Sequence, residues 1–398
     1  MSPGRIDQSN VVADIDMSDL YPAPFPDDVP IVELETISLA KLLAKDPAEA
    51  QRMFAICQDP GFFYLDLTDH PDGLQMLRNV VSCCRLGQSI FPQLPMAEKK
   101  AFKTRDRIGV FDMGYFTKDV LPDGEPRYSE TINSPCPGRE ATEFDLQLTT
   151  WAIIQIPMTE LFAPPSEHRK DFQLPSWLAP HVDLYRRTMQ QGNQLANVIF
   201  GVLEDAFQLK PGTITSAHRL EDPSSDFLRL LRYTGLKPGI VDQLTFPAHK
   251  DAISLAILFT WLGGLQIPAA NATWLGPETV TEDSWRWVKP VPGTAIVNLG
   301  DAMEIMTNKV LKSGLHRVVR APGLQAPFDK YSVLIGTRPN NCLPMVPFSG
   351  SPLIPAPTAE QQQAPVLTSQ EWGRSKIVGL ENLLKRRDEN KEVLTFQA

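Results

Sequence analysis

Six histidines occur in the chain, and two of them open an H-x-D triplet: His181 with Asp183, and His249 with Asp251. An imidazole and a carboxylate two residues apart can share one metal ion only if the backbone sends both to the same side. His181 and Asp183 stand at the start of a helical pattern, where residues i and i+2 point about 200° apart. His249 and Asp251 stand where Thr245-Phe246-Pro247-Ala248 runs into the apolar segment Ala252 to Phe259. In extended chain, i and i+2 project to one side. The spacing assigns His249 and Asp251 to one ion and leaves His181 as a helix-start residue. His316, in Ser313-Gly314-Leu315-His316-Arg317-Val318-Val319, is the natural third ligand. Two imidazoles and one carboxylate on one face leave three coordination positions open, the arrangement of non-haem Fe(II) oxygen chemistry. A zinc hydrolase can use similar ligands, but zinc usually takes four-coordinate geometry.

Such a site also needs an anchor for an anionic co-substrate. A cation and a hydroxyl on one strand face bind a carboxylate by charge-assisted hydrogen bonds. Lys330 and Ser332, at i and i+2 in Asp329-Lys330-Tyr331-Ser332-Val333-Leu334-Ile335, fit that need. Taken alone, the pair reads more readily as a solvated strand end, because Lys and Ser are mostly exposed.

These residues need a scaffold that brings positions far apart in the chain together. From residue 209 onward, short apolar or alternating runs follow one another: Phe227 to Tyr233, Ala252 to Trp261, Leu265 to Pro268, Trp285 to Val291, Thr294 to Leu299, Leu315 to Val319 and Tyr331 to Gly336. Gly, Pro, Asn or Asp punctuates them, which predicts a β-sandwich or jelly roll. The first half reads differently. Helical periods cover about Pro47 to Gln58, Gly73 to Phe91 and His181 to Phe207. In the last of these, Leu184, Thr188, Leu195, Val198, Ile199 and Val202 form the apolar stripe. Val29 to Leu34 and Phe62 to Leu65 read as strands, and the stretch from Arg105 to Thr150 is turn-rich without a clear period. A tail helix is expected over Ser369 to Lys385, with Ser369 as its cap. The expected organisation is a flexible lead-in over 1–28, a mixed α/β region over 29–208, the β core over 209–345, and a Pro-rich linker with a C-terminal helix over 346–398.

Composition narrows the function classes. The chain has 398 residues, 42% hydrophobic and 21% charged, enough for a full core. Its formal net charge is -9, which argues against nucleic acid as the main partner. Met1 to Leu20 lacks an apolar signal core, and no stretch of about 18 apolar residues suggests a membrane span. The five cysteines, Cys57, Cys83, Cys84, Cys136 and Cys342, form no CxxC pair and read as reduced thiols of a cytoplasmic protein.

Beyond these readings, the sequence resembles the plant and fungal 2-oxoglutarate-dependent dioxygenases related to isopenicillin N synthase. The resemblance runs from about Val29 to Asn341. It is carried by Val29-Pro30-Ile31-Val32, Pro60-Gly61-Phe62-Phe63-Tyr64-Leu65, His249-Lys250-Asp251, Gly263-Gly264-Leu265-Gln266, Trp285-Arg286-Trp287-Val288, the run Pro292 to Asp301, Asn308-Lys309 and Ser313 to Val318, in that order. It implies a double-stranded β-helix with Fe(II) at His249, Asp251 and His316. It also implies that 2-oxoglutarate chelates that iron, that O2 is the oxidant, and that ascorbate supports turnover. Lys330-Tyr331-Ser332 stands where the family carries Arg-x-Ser for the far carboxylate, and Tyr233 matches a family tyrosine at the same end. The accompanying family asparagine falls at Leu231, and Ala321 to Asp329 resembles an expanded turn. Arg338 is a possible substitute cation. Gln266, Asn298 and Asn308 look like supporting or packing residues. Residues 93–139 and the tail helix are expected to line the substrate pocket, with Phe111, Tyr115 and Phe116 as candidates.

The implied reaction is hydrogen-atom abstraction from a small organic substrate of specialised metabolism, ending in hydroxylation, desaturation or rearrangement. Two other readings stay open at this point. One is an isopenicillin N synthase-like Fe(II) oxidase that uses no 2-oxoglutarate, in which Lys330 and Ser332 bind the substrate's carboxylate. The other is a jelly-roll binding protein that has lost its metal.

Overall fold

A computed structural model describes residues 15–95, 98, 103–105, 112–117, 129–132, 154–157, 176–236, 244–269 and 280–376. Strands are β1 (Thr36–Ser38), β2 (Phe62–Asp66), β3 (Lys103–Arg105), β4 (Asp112–Thr117), β5 (Ser129–Ile132), β6 (Ile154–Pro157), β7 (Phe227–Tyr233), β8 (Leu244–His249), β9 (Leu255–Thr260), β10 (Leu265–Pro268), β11 (Trp285–Trp287), β12 (Thr294–Leu299), β13 (His316–Val319) and β14 (Lys330–Thr337). Helices are α1 (Leu39–Leu43), α2 (Pro47–Gln58), α3 (Pro71–Gln93), α4 (Val182–Ala206), α5 (Asp301–Met306) and α6 (Ala359–Gln363). The large sheet runs β1-β2-β12-β9-β14-β7-β5-β4-β3, with β6 beside β5 on the outer edge of β7; the small sheet runs β11-β10-β13-β8. Two mostly antiparallel sheets facing each other make the α+β, double-stranded β-helix architecture.

Period-two alternation decides what each strand of the large sheet does. On β14, Val333 and Ile335 are buried in the main core, where helices α3 and α4 pack. Lys330, Ser332 and Leu334 face the other way, toward the small sheet. On β7, Leu228 and Leu230 join the helix-side core, while Arg229, Leu231 and Tyr233 face the small sheet. Gly192 of α4 lies so close to Ile335 that even a methyl group would force the isoleucine to move.

Side-chain caps set two helix starts, the second at Pro71, two residues before the expected Gly73. Asp46 accepts from Glu49 N before Pro47, and His70 accepts from Asp72 N before Pro71. The buried face of α4 is set by Tyr185, Met189, Gly192, Ala196, Phe200 and Leu203 as well as Thr188, Leu195 and Ile199. Leu184, Val198 and Val202 are only partly buried, so the expected stripe is rotated by about one residue.

Four expectations need correction. Val29 to Leu34 is no regular strand: Ile31 makes a single parallel bridge to Trp287, because Pro30 has no N–H to extend the ladder. The stretch from Arg105 to Thr150, read as turn-rich, holds β4 and β5, with β3 ending at its start and β6 just beyond it, so the sheet is not confined to 209–345. The part of the lead-in that is described packs against the body, with Ile15, Met17 and Leu20 buried and Ala23 O accepting from Gln325. The tail helix, helical over 369–376, is capped by Thr368 rather than Ser369. Glu371 N donates to Thr368 Oγ1 (3.3 Å) and Thr368 N to Glu371 Oε2 (2.9 Å), a capping box one residue earlier than expected. The remainder of that helix to Lys385, Phe111, and the side chains of Tyr115 and Phe116 lie outside the described residues.

Among the described residues no helix is long and apolar enough to cross a membrane. Cys57, Cys83, Cys84 and Cys342 are unpaired, and the first three are buried.

Candidate active site

Strand β8 is an edge of the small sheet, the place where a proline such as Pro247 does least harm to a ladder. Its last residue is His249. Asp251 follows in the turn that enters β9, and that turn is fixed through its backbone: Asp301 N donates to Asp251 O (2.8 Å) and Gly300 N to Ser254 O (3.0 Å). Gly300 permits this approach, since a Cβ there would collide with the carbonyls of Ile253 and Asp251. His316 opens β13 and pairs directly with His249 across the ladder.

The three side chains converge. His249 Nε2 lies 3.6 Å from Asp251 Oδ1, and His316 Nε2 lies 3.8 Å from Asp251 Oδ2. One ligand atom from each residue fits within 4.8 Å of the others. The far nitrogen of each ring is engaged by backbone: His249 Nδ1 at 2.8 Å from Pro247 O, and His316 Nδ1 at 3.0 Å from Gly314 O. A carbonyl can only accept, so Nδ1 carries the proton in both rings and Nε2 presents its lone pair to the shared space. Asn298 Nδ2 donates to Asp251 Oδ2 (3.0 Å) and holds the carboxylate in place.

Electrostatics prepares the same forms. Burial pushes His316 down to about 4, assisted by the neighbouring His249 and only partly opposed by Asp251 and the Gly314 carbonyl. For Asp251, burial raises the pKa, but His316, His249 and Asn298 together outweigh it and hold the carboxyl well below its usual range. An ionised carboxylate and a neutral imidazole are the forms a metal requires, so no proton has to leave them at neutral pH. Two imidazole nitrogens and one carboxylate fit a divalent transition-metal ion with open positions.

Two consequences are testable here. Replacing Asn298 with Ala frees Asp251 to rotate. Fe(II) affinity, measured by titration of the apo-protein, is expected to fall about 10- to 100-fold with the thermal midpoint little changed. Replacing Gly314 with Ala drives a Cβ into the Phe62 ring, which packs edge-on against His316 at 5.8 Å between centroids. Overpacking of that kind costs about 1–3 kcal/mol. Both the melting temperature and the Fe(II) affinity are expected to drop, since His316 rides on the displaced segment.

The triad opens into a cavity of about 120 Å³ between the two sheets. Phe246, Leu258, Leu265, Val318 and Leu334 supply apolar walls; Arg229, Tyr233, Thr260, Lys330 and Ser332 supply polar groups. Lys330 and Tyr233 are register partners across β14 and β7, and the ammonium sits 4.3 Å from the Tyr233 ring centroid. Burial pulls Lys330 down to about 7, and the same burial raises the Tyr233 phenol, which stays a neutral donor. Gly264, at φ +130°, makes room for the ammonium: a Cβ there would stand 2.6 Å from Lys330 Nζ. Ser332 Oγ donates to Thr260 Oγ1 (3.1 Å). Lys330 and Ser332 are therefore buried cavity-wall residues, not a solvated strand end.

Other candidates fall elsewhere. Arg338 is no substitute cation, because its guanidinium donates to Ala252 O and Ser225 O and is used in the backbone frame. Gln266 accepts from Arg317 Nε (2.7 Å), and Asn308 donates to Pro355 O and Ala356 O, so both are packing residues. His181 is the N-cap residue of α4, and Asp183 pairs with Arg186. Leu231 lines the cavity as an apolar residue. Sequence reasoning missed Arg229, although its i, i+2, i+4 relation to Leu231 and Tyr233 in Phe227-Leu228-Arg229-Leu230-Leu231-Arg232-Tyr233 puts it on the same face.

Known proteins give the arrangement a context. The profile of the 2OG-Fe(II) oxygenase superfamily matches residues 225–333, the stretch that holds all three triad residues and Lys330. A 2-oxoglutarate-dependent dioxygenase of Aspergillus fumigatus is 49% identical over 392 residues, covering 96% of this chain and 95% of its own. Codeine O-demethylase of Papaver somniferum is 26% identical over 302 residues, 73% of this chain and 67% of its own. Among solved structures, a full-length Neurospora crassa protein in complex with alpha-KG and 5-formyluracil superposes with a TM-score of 0.63 at 18% identity, over 89% of this chain and 98% of that one. At that identity the likeness is one of fold.

Proposed function

We propose, because this chain belongs to the 2OG-Fe(II) oxygenase superfamily, that it oxidises a small organic molecule at an iron held by His249, Asp251 and His316. It is a 2-oxoglutarate-dependent dioxygenase, and Fe(II) and 2-oxoglutarate are its cofactor and co-substrate. The finer reading is of the isopenicillin N synthase-related type acting in specialised metabolism. It places the far carboxylate of 2-oxoglutarate at Lys330, Ser332 and Tyr233. The observation that carries this reading is the meeting, in one cavity, of the His-Asp-His cluster with a buried ammonium, a phenol and a hydroxyl.

When bound, iron and 2-oxoglutarate would supply O2-dependent hydrogen-atom abstraction from the substrate, at the expense of 2-oxoglutarate, which ends as succinate and CO2. The chain supplies the rest. His249, Asp251 and His316 would hold the iron through their imidazole nitrogens and carboxylate. Asn298 fixes the carboxylate. Lys330 would offer a point charge to a carboxylate, Ser332 a hydroxyl that turns to it from Thr260 Oγ1, and Tyr233 a further donor at that end. Phe246, Leu258, Leu265, Val318 and Leu334 keep the reacting volume dry, which protects the reaction from side paths. Positioning and exclusion of water are the protein's share; the bond-breaking belongs to the cofactor. The two readings without 2-oxoglutarate are not favoured. The Aspergillus fumigatus relative is a 2-oxoglutarate-dependent dioxygenase, and the three candidate ligands are together here.

The experiment is succinate formation by the purified protein with Fe(II), ascorbate, O2 and 2-oxoglutarate, beside an Fe(II)-free control. Slow, iron-dependent succinate release without added substrate is the expected result. Absence of succinate, together with no change in the Fe(II) protein's absorption when 2-oxoglutarate is added, removes Lys330 as a co-substrate anchor.

A further inference from the structure

The triad comes from two stretches of chain, and the ladder between them is irregular. His249 and His316 are register partners, but the β8–β13 pairing shifts between His316 and Val318 and again before Val319. β8 is also an edge strand, and Pro247 has no N–H to give to a ladder. Such pairing is a weak guide to where His316 stands relative to the turn that carries Asp251.

A second tie joins the two stretches. Lys250 lies between His249 and Asp251 in sequence, and alternation in extended chain sends its side chain away from theirs. It reaches α5, where Lys250 Nζ donates to Glu304 Oε2 at 2.8 Å. The same oxygen accepts from Ser313 N, also at 2.8 Å. Ser313 is buried and precedes Gly314, whose carbonyl accepts from His316 Nδ1. One carboxylate oxygen thus holds both the segment with His249 and Asp251 and the segment with His316. Glu304 is itself anchored, since Lys309 N donates to its carbonyl at 2.7 Å. At the start of the same helix, Gly300 N and Asp301 N donate to the carbonyls of Ser254 and Asp251. The helix therefore grips the Asp251 turn through backbone and through Lys250.

We propose that Glu304 is a positioning residue for the iron: by taking Lys250 and Ser313 N on one oxygen, its carboxylate sets the spacing between His316 and the His249–Asp251 pair. The proposal rests on the iron reading of the triad. Glu304 does not touch the metal and acts through the two segments it joins. The Lys250 and Glu304 side chains are 23% and 21% exposed, so water screens the pair and its direct share in folding stability is small. Its effect falls on the metal instead, because groups that orient the ligands of a metal govern its affinity and coordination geometry.

The test uses the full-length apo-protein under argon. Fe(II) is titrated in competition with a chromogenic chelator, Co(II) is loaded separately for its visible absorption, which reports ligand geometry, and the apo-protein is melted. Glu304→Gln keeps an acceptor for Ser313 N but loses the charge that Lys250 meets; Lys250→Met removes the other partner. Each is expected to weaken Fe(II) binding about tenfold and to alter the Co(II) spectrum, with the apo-protein's thermal midpoint near wild type. The double variant is expected to lose about tenfold as well, not about a hundredfold, because both changes break one tie. Lys250→Arg, which keeps a cation for Glu304, is expected to retain most of the affinity. Glu304→Ala breaks both ties and is expected to lose more than Lys250→Met, up to about a hundredfold. Unchanged Fe(II) affinity in Glu304→Gln, additive losses in the double variant, or weaker binding with an unaltered Co(II) spectrum overturns the proposal. A loss in Glu304→Ala no greater than in Lys250→Met overturns the shared clamp. A wild-type protein without a stoichiometric Fe(II) site overturns the underlying reading as well, so the first titration tells the two failures apart.

Discussion

Asp251→Ala protein is expected to fold, to lose stoichiometric Fe(II) binding, and to form succinate from 2-oxoglutarate about 10³-fold more slowly or worse. The carboxylate is the only anionic member of the triad. Without it, two neutral imidazoles on β8 and β13 face a divalent ion with no compensating charge. A catalytic metal contributes several kcal/mol of charge stabilisation, which corresponds to a rate factor of that size. Folding should survive because the Asp251 backbone, not its side chain, ties the turn to α5: Asp301 N donates to Asp251 O. The local loss is the acceptor for Asn298 Nδ2, worth about 1–3 kcal/mol if the amide stays buried and unmatched. Iron titration, succinate assay and thermal melt, made together, separate the cases. A variant that melts normally and still binds iron tightly would show that Asp251 is not a ligand. A variant that fails to fold is to be replaced by Asp251→Asn, which keeps the shape and the amide contact but loses the charge.

The convergence of His249, Asp251 and His316 was legible because extended chain leaves a simple trace: His249 and Asp251 at i and i+2, and an isolated His316 in another predicted strand. The helical half was legible for the same reason, an apolar period over about Pro47 to Gln58, Gly73 to Phe91 and His181 to Phe207. Other features leave no periodic trace. Strands β3 to β6 are three to six residues long and sit among prolines, too short for alternation to emerge from the surrounding turns. The tail cap was misplaced by one residue because Thr368 and Ser369 are chemically alike. Only the reciprocal bonds with Glu371 distinguish them. Lys330 and Ser332 read from their neighbours as a solvated strand end because exposure is set by the opposing sheet, which comes from distant segments. Arg229 was overlooked for a related reason. An arginine in an apolar strand reads as an edge or surface residue until the register sets it beside Leu334 on the sheet face that lines the cavity.

Lys330 leads to the other large effect. Lys330→Met is expected to weaken 2-oxoglutarate binding about 100-fold or more while leaving Fe(II) affinity intact. The ammonium is buried, so a carboxylate bound in its place would be an uncompensated charge in a dry wall, a loss of about 3–5 kcal/mol. The same burial makes the wild-type interaction sensitive to pH, and the sign is fixed. Burial lowers Lys330 from 10.5 to about 7, so the free protein holds the ammonium below that point and gives it up above. Only the ammonium attracts the far carboxylate. The dissociation constant should therefore be flat below about pH 7 and rise by about tenfold per pH unit above it, until the higher pKa of the complexed lysine is reached. Lys330→Arg distinguishes this from a general alkaline loss of structure. A guanidinium remains charged across the range, so the variant should bind 2-oxoglutarate with little pH dependence and should overtake wild type near pH 9, even if crowding at Gly264 weakens it near neutrality. Equal pH slopes in the lysine and arginine proteins would mean that another group titrates. Unchanged affinity in Lys330→Met would move the co-substrate's anchor elsewhere in the cavity, with Arg229 the first residue to examine.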